Sequence, residues 1–152
     1  MKPEAKFKRD FLKRMHGRWA TQLVEDEHSR NVPDIAYADG CRCGWIEAKY
    51  MTRPRNADSI WKIRHLTDGQ IEFLHRWWKF GAPTWLLIGV GEKKDGVAET
   101  LILLPGNRVQ DTVGRSYRQY MERSVLNISM NFAPSSVLNV LRYARTPGKL
   151  AW

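Results

Sequence analysis

The stretch NVPDIAYADGCRCGWIEAKY, Asn31–Tyr50, decides how the chain is read. "PDIAYA" and "GWIEAKY" read as strands, and the turn-rich "DGCRCG" between them makes the segment a β-hairpin. Glu47 and Lys49 stand two apart on the second strand, and side chains two apart leave a strand by the same face. Folding the segment symmetrically about Gly40–Cys41 sets Asp34 opposite Glu47, and directly paired residues on antiparallel strands point to the same side. Two carboxylates and an ammonium then share one small volume. Close carboxylates repel, and one holds its proton unless a cation intervenes. Carboxylate oxygens suit Mg²⁺, with Mn²⁺ as a substitute, and Mg²⁺ binds through one or two acids plus waters and phosphate oxygens. Such an ion can activate water at a phosphodiester. Lys49 can stabilise the charge that develops there. Taken singly, the same residues also fit a turn aspartate after Pro33 and a solvated strand pair worth under ~1 kcal/mol.

Charge supports the first reading. The chain has 152 residues, enough for a single domain spanning 1–152 with its own core. Its net charge is +9 and its pI about 9.8. That balance points to a polyanionic partner, nucleic acid first and an anionic membrane surface second. No apolar run approaches the ~20 residues of a membrane span. The stretch "MKPEAKFKRDFLKRMHGRW" is charged throughout and lacks the apolar segment of a signal peptide, so an intracellular, cytoplasmic location is expected (a host cytoplasm for a phage-encoded protein). Cys41 and Cys43, the only cysteines, make neither a disulfide framework nor a four-ligand zinc site. Lys13, Arg14, Arg53, Arg55, Lys62 and Arg64 are candidate phosphate contacts, and they fit an ordinary solvated surface as well.

Around the hairpin the pattern alternates helix and strand. Phe7, Phe11 and Met15 recur at helical spacing, predicting a helix over roughly Pro3–Arg18. "WATQLVE" fits a strand or a helix continuation. "TDGQIEFLHRWWKFG" is a marked helix, with Thr67 as N-cap, Gln70 completing a capping box and Gly81 as the stop. Trp77 and Trp78 cannot share one helix face, so at most one is core. Trp61 can stack on a base or pin its loop to the core. "TWLLIGV" and "TLILL" are apolar strands, with Asp95–Gly96 marking a hairpin turn between them. From about Arg108 the tail reads as helix, with Pro134 or Ser135 opening a last one. The sum is an α/β fold with a central mixed sheet flanked by helices.

"PD" at Pro33–Asp34 followed by "EAK" at Glu47–Lys49 resembles the signature of the PD-(D/E)xK nuclease superfamily. That group includes restriction enzymes, Holliday junction resolvases and VRR-NUC nucleases. Many members place a glutamate on an upstream element. Glu25 in "QLVEDEHSRNVPD" resembles that position, with Glu27 as the second choice. Archaeal-type resolvases and phage-encoded relatives often carry a glutamine opening the next helix, then a glycine and an apolar strand, and Gln70 is similar to that glutamine. "GWIEAKY" resembles the "GWIELK" of small phage nucleases. The resemblance runs from about Trp19 to Val90 and is silent on the C-terminal third.

The resemblance implies a restriction-endonuclease-like fold and a Mg²⁺-dependent DNA endonuclease acting on branched DNA in recombination. Asp34, Glu47 and Glu25 would ligate the metal, Lys49 would serve the charge and the water, and Gln70 would orient the site. Two symmetric nicks in a four-way junction require two related sites, hence a homodimer. Val113, Tyr117, Tyr120, Met121 and Leu126, with Val137, Leu138, Val140 and Leu141, are the apolar positions expected to supply an interface or to pack on the sheet. The alternatives are a nicking, flap or single-strand nuclease of the same fold, and a non-catalytic basic nucleic-acid-binding protein.

Overall fold

A computed structural model of the chain describes residues 1–24 and 31–143. Six strands lie side by side in chain order: β1 (Ala20–Leu23), β2 (Ile35–Ala38), β3 (Cys43–Thr52), β4 (Thr84–Gly91), β5 (Thr100–Pro105) and β6 (Leu126–Ser129). The helices are α1 (Pro3–Met15), α2 (Asp68–Lys79), α3 (Gly106–Thr112), α4 (Tyr117–Arg123) and α5 (Pro134–Tyr143). The sheet is mixed. β3 and β4 run parallel, joined by a crossover containing α2, and every other neighbouring pair is antiparallel. No helix among the described residues is long and apolar enough to cross a membrane.

β4 is buried along its whole length, as its unbroken apolar run requires between two covered faces. Its alternate residues feed two cores. Trp85 and Leu87 join Phe7, Phe11 and Met15 of α1 and Val137, Leu138 and Leu141 of α5. Leu86, Ile88 and Val90 join Leu74 of α2, Val109 of α3 and Tyr120 of α4. Gly89 lets α1 approach β4 closely, because a Cβ there would overlap the Phe7 ring.

The hairpin folds as its symmetry predicts. Ile35 pairs with Ile46 and Ala38 with Cys43, a register that sets Asp34, one residue before β2, opposite Glu47. Thr67 and Gln70 form the predicted capping box, and α2 ends two residues before Gly81. Trp78 is buried and Trp77 exposed. Trp61 is buried edge-on against Tyr117 and Tyr120, so it pins its loop to the core and is closed to a base. Cys41 and Cys43 are free and exposed.

Two expectations need correction. α1 stops at Met15 rather than Arg18, with Gly17 in the left-handed region just beyond (φ 77°). The tail is not continuous helix: a second capping box, Ser116 with Gln119, restarts it as α4, and Leu126–Ser129 is a strand. That strand exists because β5 offers an open edge, where Leu126 pairs with Leu103 and Ile128 with Leu101. Four residues carry too little periodicity to announce such pairing. Of the two uses expected for the C-terminal apolar positions, packing accounts for most: Tyr117, Tyr120, Val137, Leu138 and Leu141 are buried on the sheet, and only Val113 is exposed among those named.

Replacing Gly89 by alanine should destabilise the protein by about 1–3 kcal/mol, the range for forcing extra volume into a packed core. Urea unfolding measures this directly. An unchanged midpoint would mean that α1 does not rest on β4 as described.

Candidate active site

Glu47 and Lys49 occupy the middle of the sheet, on the strand between β2 and β4. Both side chains are withdrawn from water: Glu47 is fully buried and the Lys49 side chain is 4% exposed. The Lys49 Nζ lies 2.7 Å from Glu47 Oε1. Gln70 Nε2 donates to the same oxygen at 2.9 Å, while Gln70 Oε1 accepts from the Thr67 backbone N–H at 3.0 Å. One side chain therefore caps α2 and grips Glu47. Glu47 Oε2 is buried with no hydrogen-bond partner among the described residues. The pair is thus not a solvated strand pair.

Asp34 stands at the mouth of this pocket, with 22% of its side chain exposed. Its Oδ2 accepts from the Ala48 backbone N–H at 3.2 Å, tying it to the strand between Glu47 and Lys49. Its Oδ1 is 3.3 Å from Lys8 Nζ. Glu4, 30% exposed, completes the group at 3.8 Å from Lys49 Nζ. Glu4 and Lys8 sit one turn apart on α1, which carries both to the hairpin.

Electrostatics follow from this geometry. Burial, then the charge of Asp34, pushes the Glu47 pKa up to about 7, against the pull of Lys49. Burial also raises Glu4, partly offset by Lys49. For Lys49 burial works downward, but Glu47 and Glu4 outweigh it and hold the ammonium above its ordinary pKa. The cluster combines three acids and two lysines, with one buried carboxylate oxygen lacking a partner. Among the described residues, no group of three or more acids, histidines and cysteines is placed to hold a metal by itself. Asp34 and Glu47 still suit a cation that takes one or two carboxylates and completes its shell with water and phosphate.

Of the residues singled out from sequence, Asp34, Glu47, Lys49 and Gln70 meet here. Glu25 and its alternative Glu27 lie outside the described residues. Glu4 and Lys8 were missed. An acid in a helix's first turn is ordinary, and their one-turn spacing is the only signal that marks them. The basic candidates scatter. Arg55, Lys62 and Arg64 are exposed on the segment after β3, and among the described residues no ion pair engages them. Arg53 is engaged by Glu92, and by Glu99 at 3.5 Å. Arg14 lies over the Phe132 ring, and Lys13 beside it is exposed.

No family model matches the sequence, and no curated protein matches it. Among solved structures, the chain is similar to that of Hjc from Archaeoglobus fulgidus, a Holliday junction resolvase from an archaeal hyperthermophile. The likeness has a TM-score of 0.56 and 16% identity, and it covers 90% of this chain and 95% of that one. The α/β fold, a mixed sheet flanked by helices, is therefore that of the resolvase.

The arrangement predicts that Glu47 titrates near pH 7 in the metal-free protein, read by carboxyl-carbon NMR. Asp34→Asn removes a like charge and should lower that value, and Lys49→Met removes the ammonium and should raise it. Titration near the ordinary 4.5 would place Glu47 in water instead.

Proposed function

We propose that the protein is a metal-dependent DNA endonuclease that hydrolyses phosphodiester bonds in branched DNA, in the manner of a Holliday junction resolvase, and that it acts as a homodimer. The observation that carries this reading is the buried Glu47 carboxylate, facing Asp34 with one oxygen unpartnered. Asp34 and Glu47, with Glu4 beside them, would hold Mg²⁺ or Mn²⁺. Glu25 remains a further candidate ligand. When bound, such an ion acidifies water and neutralises phosphate charge.

The chain's own residues do the rest. Gln70 fixes the Glu47 carboxylate through a side chain already immobilised by the helix cap. As water loses a proton and its oxygen bonds to phosphorus, an ester P–O bond breaks and the leaving oxygen takes a proton from solvent; negative charge grows on the phosphoryl oxygens meanwhile, and the Lys49 ammonium would stabilise it. The +9 charge supplies sequence-independent phosphate affinity. Arg55, Lys62, Arg64 and Lys13 are the exposed candidates for it, and Arg14 and Arg53 would first have to leave their present partners. An intracellular location would bring it to branched DNA.

A non-catalytic DNA-binding role fits less well. A buried acid–lysine pair contributes little net stability, because desolvation offsets its attraction. A fold with no use for that chemistry gains little by keeping the pair. A second copy would meet this chain at the aromatic strip of Trp45, Phe73 and Trp77. Phe73 and Trp77 stack 4.9 Å apart, and Trp77 and Phe80 are among the exposed large apolar residues.

Asp34→Asn should abolish Mg²⁺-dependent nicking of a four-way junction while leaving gel-shift affinity equal or stronger, since a carboxylate facing phosphate repels DNA. Lys49→Ala should lower the rate by on the order of 10²–10³. Full activity in Asp34→Asn, or undiminished cleavage in excess chelator, would end the nuclease reading. Equal nicking of a linear duplex by a monomer would end only the junction and dimer parts.

A further inference from the structure

Beside the acid cluster lies a cleft of about 470 Å³ that shares only Glu4 with it. Asp34, Glu47 and Lys49 do not line it. It is lined by Pro3, Tyr50, Met51 and Thr52 at the end of β3, and its exposed rim carries Lys2, Arg64, His65 and Lys94. Glu4 is the only acid among the lining residues. The rim comes from three separate parts of the chain: the start of α1, the segment before α2 and the β4–β5 turn.

Tyr50 holds one side of the rim in place. The Tyr50 hydroxyl sits among the Lys93 carbonyl, the Val97 carbonyl at 3.2 Å and Asp95 Oδ1 at 3.5 Å, and so fastens the turn that presents Lys94. Burial, and Asp95 beside it, push the Tyr50 pKa up to about 12, so the hydroxyl remains a donor. Opposite, His65 is the one non-glycine residue with positive φ among the described residues, at 58°. Backbone held in that region costs energy and persists where the surroundings enforce it.

The volume falls in the range of clefts that take one small ligand, roughly 300–1,000 Å³, and is far too small for a duplex. Cations on the rim suit a phosphate, and an apolar lining with an aromatic ring suits a base face. We propose that this cleft binds a single unstacked nucleotide, with its phosphate on Lys2, Arg64 and Lys94 and its base against Pro3 and the accessible edge of Tyr50. On the nuclease reading, which this inference extends, that nucleotide neighbours the phosphodiester at the acid cluster. The shared wall at Glu4 leads the strand from one to the other. The strand would be unpaired at that point, a condition met at a branch point and not along an intact duplex.

The test needs no metal and no cleavage. Titrate the metal-free, full-length protein with dAMP, deoxyadenosine or inorganic phosphate, and follow the amide resonances of Met51, Thr52, His65 and Lys94 by NMR. The expected result is saturable movement with dAMP at millimolar affinity, at least about tenfold tighter than with either fragment. Lys2→Ala/Lys94→Ala, both exposed positions, should weaken dAMP binding at least about fivefold. Arg18→Ala/Lys79→Ala, three residues beyond α1 and at the last residue of α2, removes the same charge and should leave binding unchanged. Silent cleft amides, phosphate binding as tightly as dAMP, or an unaffected Lys2/Lys94 variant would each overturn the proposal. Junction cleavage by the same preparation with Mg²⁺ reports separately on the nuclease reading. Cleavage without dAMP binding sinks this inference alone.

Discussion

The contact on which the rest depends is the grip on Glu47 inside the sheet. Lys49 and Gln70 both reach one carboxylate oxygen, and the other has no partner. A buried carboxylate is costly unless paired, and a half-satisfied one keeps part of that cost. The cost depends on pH. The folded pKa of Glu47, about 7, lies above its ordinary 4.5, so between those values the folded chain binds more protons than the unfolded chain. Stability therefore falls as pH rises across that window and levels off above it. A cation held by Glu47 and Asp34 would remove the deficit.

The surrounding fold can be understood as support for that one carboxylate. β3 is flanked by β2 and β4, which dry it. α2 opens on Thr67, and its capping box turns the Gln70 amide toward Glu47. α1 packs by Phe7, Phe11 and Met15 and thereby brings Glu4 and Lys8 to the mouth of the site. Lys8 on Asp34 and Lys49 on Glu47 balance the acids pairwise, and Glu4 is the acid left over.

Much of this was legible in the sequence, because it was local. The hairpin's register follows from its symmetry about Gly40–Cys41, and a slip of one residue would have turned Glu47 to the other face of the sheet. Gln70 was readable as a cap and as a site residue, and it serves both contacts. What escaped was set by distance along the chain. Glu4 stands thirty residues before Asp34 with no motif between them, and only the packing of α1 reveals it. β6 forms because β5 has an edge to fill, which its four residues do not announce. The C-terminal apolar positions pack on the sheet, while the exposed aromatics, Trp77 and Phe80, lie at the end of α2, with half-buried Phe73 and Trp45 beside Trp77.

If Asp34 and Glu47 hold a cation as proposed, it must displace at least one of the lysines that balance them now. Soaking crystals of the protein in millimolar Mn²⁺ and collecting at the manganese edge tests it most directly. The account predicts one anomalous peak within ligand distance of a Glu47 oxygen and an Asp34 oxygen, with Lys8 withdrawn from Asp34. No peak there, with both lysines still on their carboxylates, would contradict it.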